Sequence, residues 1–152
     1  FEGVAVETPL PGLHQVTNTI LALTVGHAFG VPLDAMSQAL ANYQPSQGRW
    51  SRQLLPGSQS SWALNDAYNA NPSSMQAALQ AFLAKPKEQA FRLLVVGAMN
   101  ELGDYAQAYH QALGVWLAQH SQAFDALLLV GEDARWTLDS FKQACPVAHT
   151  PN

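Results

Sequence analysis

Phe91-Arg-Leu-Leu-Val-Val-Gly97 and Ala126-Leu-Leu-Leu-Val-Gly131 decide the fold of this 152-residue chain. Each is a strand-sized apolar run closed by glycine, as expected of a strand covered on both faces. Between them, Asp104 to His120 reads as a long helix with Asp104 as its N-cap. Upstream, Pro72 to Leu83 reads as a helix with Met75, Leu79 and Phe82 inward, Asn71 at the N-cap and Pro72 at the first helical position. Leu127 to Val130 repeats the buried-strand signature. Asp133 to Ala144 closes with a helix that Pro146 ends. Strands alternating with helices predict an α/β fold with a Rossmann-like open, mostly parallel sheet and flanking helices.

Farther out, Trp50 to Leu55 and Trp62 to Asp66 read as two strands joined by the turn Pro56-Gly-Ser-Gln59. Gln44 to Gly48 is polar and carries Pro45 and Gly48, so a hinge or domain boundary is expected there, dividing 1–47 from 48–152. The first part is mostly helical. His14 to Phe29 places Val16, Ile20, Leu23 and His27 on one face and stops at Gly30. Pro32 to Tyr43 forms a second helix with Leu33, Met36 and Leu40 on one side. A short strand, Val4 to Glu7, is expected before the turn Thr8-Pro-Leu-Pro-Gly12.

Composition narrows the function. Apolar residues make up 48% of the chain, enough to bury a core and exclude overall disorder. Seven Lys and Arg against eleven Asp and Glu are scattered, with no run longer than Lys85-Pro-Lys87. Neither a nucleic-acid surface nor a polybasic membrane surface is expected, because both need clustered cations. The single Cys145 has no partner for an internal disulfide, and a reducing, cytoplasmic setting fits. The opening Phe1-Glu-Gly-Val4, with no Met and no basic leader, is what a piece of a longer protein would show.

Ligands of open α/β sheets bind beyond the carboxyl ends of the strands. Two loops fall there: Asn65-Asp-Ala-Tyr-Asn-Ala-Asn-Pro72 and Gly97-Ala-Met-Asn-Glu-Leu-Gly103. Turn and cap chemistry alone accounts for Asn71 and in part for Asn69, less well for Asp66 and Tyr68. No lysine follows a glycine, so the chain carries no P-loop. Gly-x-Gly-x-x-Gly and Gly-x-Ser-x-Gly are also absent. The five histidines give no metal spacing. His14 starts a helix, His27 reads as a core residue, His110 reads either way, His120 suits a helix C-terminus and His149 lies near a loose end. Arg49, just past the hinge, is either an ordinary surface arginine or a planar clamp for phosphate.

The order of these motifs resembles the Mur ligases. Leu10-Pro-Gly-Leu-His-Gln-Val-Thr-Asn18, Gly48-Arg49, Asn65-Asp-Ala-Tyr-Asn-Ala-Asn-Pro72 and Gly97-Ala-Met-Asn-Glu-Leu-Gly103 with His110 and Gly114 carry the likeness. The third and fourth are most similar to the D-alanyl-D-alanine-adding branch, the MurF ligases. The resemblance implies that 1–47 ends a central ATPase domain and that 48–152 is most of a C-terminal domain, lacking a final strand with a Lys-Gly-Ser-Arg-like element.

It further implies a fragment, inactive alone, of a monomeric ATP-dependent amide ligase of peptidoglycan precursor synthesis. In that reaction ATP phosphorylates the carboxylate of a UDP-N-acetylmuramoyl tripeptide. The amine of D-alanyl-D-alanine attacks the acyl phosphate, and Mg2+ assists from parts outside the chain. Carried onto this sequence, His14, Gln15 and Asn18 would line the adenine, Arg49 the phosphates and Asp66 the ribose. Tyr68, Asn69 and Asn71 would lie at the junction of substrate and nucleotide, and Glu101 and His110 near the amine. Gln15 stands where the family has Asn, and Asn65 and Ala98 where it often has Asp. The competing expectations are a free-standing nucleotide-binding or protein-interaction module and another Mur ligase.

Overall fold

The computed structural model describes residue 3 and residues 5–87, 90–142 and 145–151. The chain divides into two compact units, Phe1–Tyr68 and Asn69–Asn152.

In the first unit, α1 (Leu13–Ala28) and α2 (Leu33–Ala41) form a helical hairpin. Gly30 ends α1 with φ of 73°. Its N–H donates to His27 O and the Val31 N–H to Gly26 O, the paired bonds by which a left-handed glycine satisfies the last carbonyls of a helix. Gly26 is also the contact point of the pair, since a Cβ there would lie 2.5 Å from Met36 Sδ. Leu23 and Met36 are buried at this contact. The face expected to be apolar and covered on α1 is otherwise open: Val16 and Ile20 are exposed, and so is His27, which is no core residue. Coverage of the expected face is thus confined to Leu23, next to the point where Gly26 admits Met36. The strand expected at Val4 to Glu7 does not form over 5–7, and Val4 lies outside the described residues. Pro9 and Pro11 close off ladder pairing just beyond it. A two-stranded antiparallel sheet, β1 (Ser51–Leu54) and β2 (Trp62–Asn65), completes the unit, with Ser51 opposite Asn65 and Leu54 opposite Trp62.

The second unit holds α3 (Pro72–Leu83), β3 (Leu93–Gly97), α4 (Ala106–Gln119), β4 (Ala126–Val130), α5 (Ala134–Ser140) and β5 (Val147–Thr150). The strands form one parallel sheet, order β3-β4-β5, with Leu94 beside Leu127 and Leu127 beside Val147. Leu79 of α3, Leu113 and Leu117 of α4 and Ala134 of α5 form one core with Leu94, Val96, Leu127 and Leu129. The helices thus share one face of the sheet. Contrary to the expectation of a strand covered on both sides, β3 alternates: Leu93 is 48% and Val95 61% exposed. A continuous apolar run reports what a strand could bury on each face, and here one face is filled.

Three further differences concern element ends. Asp104 does not cap α4 but lies in a 3-10 turn, Gly103–Tyr105, that leads into it. The last helix stops at Ser140, because Phe141 takes ψ of 90°; Ala144 lies outside the described residues. Beyond Pro146, the expected loose end is β5, which contains His149.

At the amino end of the sheet, Arg92 is buried and its guanidinium donates to the carbonyls of Lys85, Pro86 and Ala123 at 3.0, 3.0 and 3.2 Å. Its backbone N–H donates to Asp125 Oδ2 at 2.7 Å, and Lys87 Nζ meets Asp125 Oδ1 at 2.8 Å. These two donors hold the Asp125 carboxyl below the usual carboxylate range.

Candidate functional site

The β1–β2 register brings the segments Gly48–Ser51 and Asn65–Tyr68 side by side at the open end of the hairpin. Gly48 is buried at φ of 78°, and a Cβ on it would meet the Tyr68 backbone nitrogen at 3.3 Å. Only glycine combines that backbone with that approach. The Tyr68 N–H donates to Gly48 O at 2.9 Å, and Ser51 Oγ donates to Asn65 O at 3.4 Å. Trp50 takes left-handed backbone, φ of 53°, which costs a non-glycine residue about 1–2 kcal/mol. Its N–H is held by Asp66 Oδ1 at 2.9 Å. Arg49 lies over the Tyr68 ring, 4.0 Å from guanidinium carbon to centroid. Arg49, Asp66 and Tyr68 are therefore one exposed cluster: a cation on an aromatic face beside a carboxylate with one oxygen committed to backbone.

The other nucleotide candidates of this unit sit on the first turns of α1. His14 and Gln15 are half-buried and Asn18 is exposed, with Asn18 Nδ2 donating to Gln15 Oε1 at 3.4 Å. Among the described residues, no hydrogen bond links this group to the Arg49 cluster.

Turn chemistry accounts for the asparagines. Asn65 Oδ1 accepts from the Ala67 N–H at 3.0 Å, and Asn69 Oδ1 from the Ala70 N–H at 2.9 Å. Asn71 caps α3: its Oδ1 accepts from the Ser74 N–H at 2.9 Å, while Ser74 Oγ accepts from the Asn71 N–H at 3.2 Å. A ligand at Asn71 would meet its side-chain nitrogen, since the oxygen is taken.

In the second unit, the loop from Gly97 to Gly103 covers the carboxyl end of β3. The Ala98 N–H donates to Val130 O at 2.8 Å, and the Met99 N–H to His110 Nε2 at 3.0 Å. Glu101 is exposed at φ of 61°. His110 is 0% exposed. Its Nδ1 lies 2.8 Å from Ala106 O, and its own carbonyl accepts from Thr137 Oγ1 at 3.0 Å. Of the two residues expected near an amine substrate, Glu101 alone reaches the surface. Two neighbours of this loop, Gly131 and His149, are not among the site residues that the sequence marks. Gly131, at φ of 100°, would bring a Cβ to 2.8 Å from Ala98 Cβ. His149 Nε2 lies 2.9 Å from Gly131 O. A glycine directly after a buried strand was the available signal for the first; nothing in the sequence marked the second.

Among the described residues, no three His, Cys, Asp or Glu side chains come together as metal ligands, and no helix is long and apolar enough to cross a membrane.

A family model for the Mur ligase glutamate ligase domain matches residues 51–152. The chain is 37% identical over 131 residues to the UDP-N-acetylmuramoyl-tripeptide–D-alanyl-D-alanine ligase of Escherichia coli strain K12, which covers 86% of this chain and 27% of that protein. MurF from Acinetobacter baumannii superposes with a TM-score of 0.78 at 30% identity, over 95% of this chain and 29% of that one. MurF ligase from Thermotoga maritima in complex with ADP shares the fold, with a TM-score of 0.68 at 24% identity over 91% of this chain and 29% of that one. The chain thus spans between 27% and 29% of the length of these relatives. With a family match over residues 51–152 and relatedness across 86% of its length, the chain belongs to the Mur ligase family.

Proposed function

We propose that this chain is part of a cytoplasmic, monomeric ATP-dependent ligase that joins D-alanyl-D-alanine to a UDP-N-acetylmuramoyl tripeptide. The observation that carries the proposal is the 37% identity over 131 residues to the Escherichia coli ligase of that specificity. Residues 1–47 would end the central ATPase domain and 48–152 form most of the C-terminal domain; the family match beginning at residue 51 supports that boundary. The reaction consumes ATP: a carboxylate oxygen takes the γ-phosphoryl group, and ADP leaves. The amine nitrogen then bonds the acyl carbon, its C–O bond to phosphate breaks and phosphate departs, and the nitrogen gives up one proton to solvent or the leaving phosphate. Mg2+ would be held mainly by residues outside this chain and would offset the charge that develops on the phosphates.

The chain's own residues would bind and orient. Stacking on Tyr68 uses the flat face of the Arg49 guanidinium and leaves its edge for a phosphate. Asp66 keeps one oxygen, Oδ2, for ribose hydroxyls while Oδ1 holds Trp50. His14, Gln15 and Asn18 would line the adenine, and Tyr68, Asn69 and Asn71 the junction with substrate. Glu101 is placed at the carboxyl end of the parallel sheet, where an ammonium group would find a carboxylate. The test is phosphate release by the full-length protein carrying this chain, with each substrate omitted in turn. Release that requires both D-alanyl-D-alanine and the tripeptide is expected; turnover indifferent to D-alanyl-D-alanine would defeat the proposal.

A further inference from the structure

We infer that His110 is the positioning residue of the 97–103 loop: a neutral imidazole locked in one tautomer, whose bare Nε2 holds the Met99 amide. The hydrogen bonds fix the tautomer without ambiguity. Ala106 O, 2.8 Å from Nδ1, can only accept, so Nδ1 carries the proton. The Met99 N–H, 3.0 Å from Nε2, can only donate, so Nε2 carries none. The opposite tautomer would set two donors face to face at Nε2 and a lone pair against a carbonyl at Nδ1. Burial removes water as a substitute partner, since both His110 and Met99 are enclosed.

The position in the fold gives this bond its consequence. The chain leaves β3 at Gly97 and must enter α4 nine residues later at Ala106. On the way it passes two left-handed residues, Glu101 and Gly103. Before that turn, two backbone amides are anchored: Ala98 on Val130 of the neighbouring strand and Met99 on the His110 ring. The His110 carbonyl receives Thr137 Oγ1 from α5, so the same residue ties the loop to α4 and α5. Glu101 stands two residues past the anchored amide. His110 thus acts on the surface of the loop while never reaching it. This rests on the reading that the carboxyl end of the sheet faces the amine substrate.

The test has two arms. On the 152-residue chain labelled with 15N in its histidine rings and methionine amides, two-bond ring correlations read the tautomer directly. Nδ1–H with an unprotonated Nε2 is expected, together with a slowly exchanging Met99 amide; an Nε2–H ring or a fast-exchanging Met99 amide would overturn the inference. In the full-length protein, His110→Leu removes the acceptor and His110→Gln restores one at the same depth. Leu is expected to raise the Michaelis constant for D-alanyl-D-alanine about tenfold or more, the factor that corresponds to about 1.4 kcal/mol. The constant for ATP should stay within about twofold, and Gln should recover most of the loss. Equal damage to both constants, or no rescue by Gln, would reduce His110 to general core packing. If the Leu variant does not fold, the tautomer and the Met99 amide in the parent chain still decide. A parent enzyme that used a different amine would sink the proposed substrate and leave the ring measurement standing.

Discussion

Asp66 is the residue on which two roles compete, and the structure separates them oxygen by oxygen. Oδ1 accepts the Trp50 N–H at 2.9 Å, bracing a tryptophan at φ of 53°. Oδ2 is the atom proposed for ribose. Asp66→Ala removes both functions. Loss of a cap-like bond at an exposed turn costs about 1 kcal/mol, and for a chain of this size that lowers the melting temperature by about 2–4 °C. Loss of a charge-assisted bond to a ribose hydroxyl costs about 1.5–3 kcal/mol, so the Michaelis constant for ATP should rise about ten- to a hundredfold. Asp66→Asn divides the effects. Its oxygen can still receive the Trp50 amide, so the melt should stay close to the parent. Its neutral amide replaces the charged acceptor, so the ATP constant should still rise about tenfold. The assay is steady-state kinetics of the full-length protein against ATP and 2′-deoxy-ATP, with thermal melts of the 152-residue chain and its two variants. The variants should discriminate the deoxy nucleotide less than the parent does. A lowered melt in Ala, an intact melt in Asn and unchanged ATP constants in both would assign Asp66 to the turn alone.

Three further outcomes follow from the packing of the second unit and of α3. A Cβ at Gly114 would stand 2.3 Å from Thr137 O and 2.9 Å from Ser140 Cβ, so Gly114→Ala must push α4 and α5 apart; a loss of about 3 kcal/mol and about 6–12 °C is expected in a melt. An unshifted melt would show that the helices have room to yield. Asn71→Ala should lose about 1 kcal/mol in urea titration by removing the α3 cap, and Asn71→Ser should recover most of it. Asp125 is held ionised by Lys87 and the Arg92 amide, so its folded pKa lies below its unfolded one. Its stabilisation is therefore complete above about pH 4 and is lost as pH falls below that, toward the folded pKa. Urea titrations from pH 7 to pH 2.5 should show a steeper acid loss for the parent than for Asp125→Asn; matching slopes would contradict the ion pair.

What was legible in the sequence depended on how much each element owes to its neighbours. Helix α3 announces itself through Asn71, Pro72 and the spacing of Met75, Leu79 and Phe82, all local signals, and its bounds agree with the reading. β3 and β4 were legible from composition, because parallel strands with a core beneath them read as apolar runs. β5 was not: four residues, Val147 to Thr150, carry no alternation, and their extended state is set by pairing with β4. On α1 the shared face of Val16, Ile20, Leu23 and His27 is legible, but its coverage is not: only Leu23, beside Gly26 where Met36 of α2 approaches, is buried. At the candidate site, the residue types were visible but their commitments were not. Asp66 reads the same whether or not Trp50 occupies one oxygen, and His110 reads either way until its ring is seen buried between Met99 and Ala106.

The hairpin that assembles Arg49, Asp66 and Tyr68 has only two strands of four residues each. Two-stranded sheets of that length are marginal in water by themselves. A nucleotide that touched both segments at its open end would then act as a folding ligand for the hairpin as much as a substrate. By mass action, a ligand at about a hundred times its dissociation constant deepens the bound fold by about 2.7 kcal/mol. Slippage of the pairing by one residue would turn every side chain of a strand to the opposite face and break up the cluster. Register and nucleotide occupancy would therefore be thermodynamically linked: each ATP bound would select the pairing of Ser51 with Asn65, and each loss of ATP would release it.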